Sequence, residues 1–97
     1  MAFDPGAISS TLAAAVGDEP ALIAELRAAF TESAERVVVL LETATDEEAW
    51  TAAASRLKGL AASFGAVRLM ALAEQAIAAG TRDPALLRKI RRAVERL

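Results

Sequence analysis

The sequence predicts an all-α chain: an antiparallel four-helix bundle with a short additional helix at the N-terminus, forming a single domain over residues 1–97. Three observations lead there. The composition holds 25 alanines against 5 glycines, 3 prolines and no tyrosine, so little in it opposes helix and little favours sheet. Apolar residues recur at three- and four-residue steps between the glycines and prolines, the period of a helix with one buried face. The breaks between these segments are short, which makes consecutive helices antiparallel neighbours. A chain of 97 residues, 55% hydrophobic and 25% charged, has the size of one core and the balance of a globular domain.

Each helix has its own signals. Asp4-Pro5 opens a short one reaching about residue 16, with proline in the first turn and Ile8 and Leu12 on one face. Gly17 closes it. Asp18-Glu19-Pro20 starts the second, with acids at the positive end of the helix dipole. Leu22, Ile23, Leu26, Phe30, Ala34, Val37 and Leu41 form its inward stripe to about residue 42, leaving Glu25, Glu32, Glu35 and Arg36 outside. Thr45-Asp46-Glu47-Glu48 is a cap followed by acids and opens a third helix. That helix ends near Phe64, with Gly65 as a left-handed stop. The fourth, over about residues 66–79, buries Leu69, Leu72, Ala73 and Ile77 and ends at Gly80. Asp83-Pro84 starts the last, which turns Leu86, Leu87, Ile90, Val94 and Leu97 inward and Arg88, Lys89, Arg91, Arg92 and Arg96 outward.

The chain has no cysteine and no histidine. A disulfide framework, a thiolate nucleophile, a zinc site of the usual Cys/His kind and a histidine acid–base are excluded together. We expect no metal and no cofactor. The apolar stretch at 37–41 is far shorter than the roughly 18 residues a membrane helix needs. The N-terminus carries Asp4 and Pro5 where a secretory leader would be basic. The expectation is a cytoplasmic chain with no membrane partner.

Net charge is −2, but residues 1–50 hold ten acids and two bases (−8), and residues 51–97 hold nine bases and three acids (+6). Side by side in a bundle, these halves attract each other; a charge-steered docking face is the alternative. Nucleic acid is not the expected partner, because the basic last helix has no interleaved aromatics and bases near a helix C-terminus have a dipole explanation.

The third helix is the unusual one. At about 100° per residue, Trp50, Ala54, Leu57, Ala61 and Phe64 fall on one side as core residues. Thr51, Ser55, Lys58, Gly59 and Ala62 fall opposite. A solvated face is ordinarily filled with long charged residues, yet this one is small residues around one lysine. Gly59 inside a helix costs about 1 kcal/mol relative to alanine. A flat strip closely fitted by a partner's surface accounts for both. Glu47-Glu48, consecutive at the helix start, are explained by the dipole and make no catalytic pair. Ser55-Arg56-Leu57-Lys58 is formally an S-x-x-K motif, but neither S-D-N nor K-T-G accompanies it.

Ser55-Arg56-Leu57-Lys58-Gly59, followed by small residues, Phe64-Gly65-Ala66, Leu69 and Leu72, resembles the signature of histidine-containing phosphotransfer (HPt) domains of bacterial phosphorelays, His-x-Leu-Lys-Gly. The resemblance is close from residue 54 to about 77 and agrees in helix order elsewhere. It implies an HPt-like bundle whose phosphoryl-bearing histidine is replaced by Ser55. A serine hydroxyl without an adjacent base does not act as imidazole does, and its phosphate ester is stable where the N–P bond is labile. The resemblance therefore implies a non-enzymatic, pseudo-phosphotransfer module that is monomeric. Its partner would be a response-regulator receiver domain or a histidine kinase, docked on the second and third helices. Thr51, Ser55, Arg56, Lys58, Gly59 and Ala62 form the expected face: Lys58 meets the receiver's acidic pocket, Arg56 flanks it and Gly59 leaves room. The alternative is a structural or oligomerisation bundle without a phosphorelay partner.

Overall fold

Five α-helices and no strand make up the described residues, 5–17 and 19–97, of the computed structural model: α1 (Pro5–Val16), α2 (Pro20–Thr43), α3 (Glu47–Phe64), α4 (Val67–Ala79) and α5 (Pro84–Glu95). Asp4 and Asp18, expected at the starts of the first two helices, lie outside the described residues. No described helix is long and apolar enough to cross a membrane.

The helix ends follow from local chemistry. Asp46 caps α3 by accepting the Ala49 N–H at 2.7 Å, and Asp83 caps α5 by accepting the Leu86 N–H at 3.1 Å, each satisfying a donor the helix itself leaves free. Thr45 stands one residue before the cap. Glu19 holds the N-cap position of α2 with no side-chain cap bond, so Pro20 and its fixed φ carry that start. At the end of α3, Gly65 adopts φ 70°. Its N–H donates to the Ala62 carbonyl at 3.3 Å while Ala66 N–H reaches back to Ala61 at 2.9 Å. This is a Schellman stop, with the buried Ala61 and Ala66 in its apolar contact. The fourth helix accordingly begins at Val67, with Ala66 as its N-cap residue.

α3 packs on α2 and α4, α4 on α5, and α5 on α2; α1 lies on α2 and touches α3. The core runs through all five helices, from Ile8 and Leu12 to Ile90 and Val94. Phe30 of α2 stacks on Phe64 of α3, with ring centroids 4.6 Å apart. Trp50, 1% exposed, donates its indole N–H to the Ala76 carbonyl of α4 at 2.8 Å, which satisfies its one polar atom inside the core. On α1, Ser9 Oγ accepts from Arg27 Nη1 of α2 at 3.1 Å.

Three expectations are adjusted. Leu22, Ile23 and Leu26 are half-buried, and full burial on α2 begins at Phe30; α2 has 24 residues, while the helices packed on it, α3, α5 and α1, have 18, 12 and 12. Ile77 and Leu97, expected inward, are half-buried at the margin of the core. The acidic and basic halves meet at Glu42: its carboxylate takes Arg91 Nη2 at 2.6 Å and its backbone carbonyl takes Arg82 Nη1 at 2.6 Å. Arg82 thereby closes a free carbonyl in the last turn of α2. Glu25, Glu32 and Glu35 stay exposed.

Candidate functional site

Alternation of buried and exposed positions on α3 sets out the face. Ala53, Ala54, Leu57 and Ala61 are buried, while Ser55, Arg56, Lys58, Gly59 and Ala62 are exposed and Thr51 is half-buried. Ser55, Arg56 and Lys58 have no side-chain hydrogen bond or ion pair among the described residues. A Cβ built on Gly59 would meet nothing within 4 Å, so the glycine is not demanded by packing within the chain. Ser63 donates its hydroxyl to the Gly59 carbonyl at 2.9 Å, one turn back along the helix.

Ser55 lies between two depressions. A groove of about 580 Å³ runs between α2 and α3 and gathers Ser55, Arg56, Gly59 and Ser63 from α3 with Ser33, Arg36 and Leu40 from α2. No acidic residue lines it, and Arg36 and Arg56 give it positive charge. Arg36 Nη2 also donates to Ser33 Oγ at 3.2 Å. The second depression, about 560 Å³, joins Ser55 and Thr51 with Glu47, Glu48 and Gly80.

Of the six residues the sequence singled out, Ser55, Arg56 and Gly59 meet in the groove, and Thr51 shares the neighbouring depression with Ser55. Lys58 and Ala62 line neither. At about 100° per residue, Lys58 lies roughly 60° round α3 from Ser55, away from Arg56, so positive side chains stand on both flanks of the serine. Sequence reasoning placed the partner on the second and third helices but named no residue of α2 in the face, where the groove brings in Ser33, Arg36 and Leu40. The signal for this α2 wall was the apolar run at 37–41, in which the helical period predicts two outward positions. Val39 and Leu40 are those, at 50% and 45% exposure.

The face offers hydroxyls, guanidiniums and an ammonium, and the chain contains no histidine to carry a phosphoryl group. Among the described residues no cluster of three or more potential ligands could hold a metal ion. No curated protein and no solved structure matches the chain. The family model described as "Hpt domain" matches residues 19–97, from the start of α2 to the C-terminus. Domains of this family interact with receiver or kinase domains in phosphorelays. The chain belongs to the Hpt domain family and is a phosphorelay-related signalling module.

Proposed function

We propose that this chain is a pseudo-phosphotransfer domain: it binds a response-regulator receiver or a histidine kinase without carrying phosphoryl itself. In this reading residues 1–97 form one cytoplasmic, monomeric and non-enzymatic domain, in which α2 to α5 are the antiparallel four-helix bundle and α1 is the addition. Ser55 occupies the acceptor position, and the partner docks across α2 and α3 on Thr51, Ser55, Arg56, Lys58, Gly59 and Ala62. The observation that carries the reading is the combination at one place of an unpartnered Ser55, an exposed Gly59 with open space beside it, and Arg56 and Lys58 on either flank.

The physical logic is a division of labour. Arg36, Arg56 and Lys58 supply a field that favours an acidic surface and speeds its approach. The exposed Leu40 and the half-buried Leu60 at the groove supply apolar area for the contact. Gly59 lets the partner's backbone come close. With an alcohol in place of imidazole, contact produces occupancy of the partner and no transfer.

The test is receiver binding by calorimetry for the wild type and Gly59→Arg. An arginine there projects from an exposed, uncrowded position, so the helical circular dichroism should stay unchanged and binding should weaken by about tenfold or more. Equal binding by the two proteins would overturn the assignment of this face.

A further inference from the structure

The last helix carries a second charged surface that the proposed docking face does not use. A groove of about 440 Å³ between the C-terminal end of α2 and α5 is lined by Arg82, Arg88, Arg91 and Arg92, with Glu42 and Glu95. It shares no lining residue with the α2–α3 groove. Arg82 and Arg91 are committed to Glu42. Arg88, Lys89, Arg92 and Arg96 are exposed and have no ion-pair partner among the described residues.

Arg88, Arg92 and Arg96 follow one another at four-residue intervals, so they form a row about 6 Å apart and roughly 12 Å long on one face of α5. Like charges at this spacing repel and destabilise a helix. The helix dipole compensates within the last turn only, which covers Arg92 and Arg96 and leaves Arg88 and Lys89 without that help. Glu95, three residues from Arg92 and in the same groove, offsets part of this repulsion, and a bound anion would relieve the remainder. Alternate side chains of an extended peptide stand about 6.6–6.8 Å apart on one side, which matches the arginine spacing. Nucleic acid fits less well: no aromatic side chain lines the groove for base stacking.

We propose that the Arg88–Arg92–Arg96 row is a second docking surface, for an extended acidic segment of a partner protein with carboxylates at every second position. Such a segment would bind beside, and independently of, a partner on the Ser55 face. Fluorescence anisotropy with a labelled peptide of alternating glutamate and alanine, on the full chain, tests it. The expected result is saturable binding that weakens as salt rises, with affinity reduced by about tenfold or more in Arg88→Glu/Arg92→Glu. Circular dichroism checks that this double variant keeps its helices. A single-stranded oligonucleotide and anionic vesicles, each of matched charge, are run in parallel. Absence of peptide binding at low salt, unchanged affinity in a folded double variant, or tighter binding of either competitor would overturn the proposal.

Discussion

Replacing Gly59 by alanine separates what this residue does for the fold from what it does at the surface. Gly59 lies inside α3, twelve residues after Glu47 and five before Phe64, where glycine costs about 0.8–1 kcal/mol relative to alanine. Its φ is not positive, and an added Cβ meets nothing within 4 Å, so no strain or clash reduces the gain. Gly59→Ala should therefore stabilise the free domain by about 0.5–1 kcal/mol. For a domain of this size that raises Tm by roughly 2–8 °C. Urea unfolding followed by the fluorescence of Trp50, the single tryptophan, reads the change directly, since the indole is buried against α4. A midpoint that stays the same or falls would refute the reasoning. Glycine would then be a requirement of the fold, and its presence on the Ser55 face would say nothing about a partner.

Three further outcomes are expected. Ser55→His places an imidazole on the exposed face between Arg56 and Lys58 and should become labelled by a phosphorylated receiver through an acid-labile bond, while the wild type stays unlabelled; no labelling of the variant would argue against Ser55 as the acceptor position. Trp50→Phe loses the bond to Ala76 and part of a buried ring, but Ala76 keeps its bond from Gly80 N–H at 3.2 Å, so the loss should be about 2 kcal/mol by denaturant titration followed by helical circular dichroism; under about 0.5 kcal/mol would show that the indole hydrogen bond adds little. Asp46→Ala removes the α3 cap and should cost about 1 kcal/mol in the same assay, with asparagine restoring most of it; no change would mean that solvent caps the helix equally well.

Much of the architecture was legible because its signals are local. Asp46, Asp83, Pro20 and Gly65 act within one turn of chain, and each sits at or beside the helix boundary its chemistry implies. The outward stripe of α3 was legible for the same reason, as a helix with five core residues fixes its other side. The α2 wall of the groove was not. The helical period separates the buried Val37, Val38 and Leu41 from the exposed Val39 and Leu40, but it does not tell that Leu40 lines the groove while Val39 does not. That depends on where α3 and α5 lie against α2. The meeting of Arg36 with Arg56, twenty residues apart in sequence, depends on the same packing. The ion pairing was also concentrated more than charge totals suggested. Glu42, near the end of α2, pairs with Arg91 of α5, while Glu25, Glu32 and Glu35 earlier in α2 are exposed.

The measurement that bears most directly on a pseudo-phosphotransfer role is a titration of the isotope-labelled domain with receiver domains from the same organism, with and without beryllofluoride as phosphoryl mimic. The expected result is saturable binding whose amide shifts centre on Ser55, Arg56 and Gly59 and extend to Ser33 and Arg36 across the groove. A preference for one receiver state would give the direction of regulation. Receivers that leave those amides undisturbed at every concentration would contradict docking on this face.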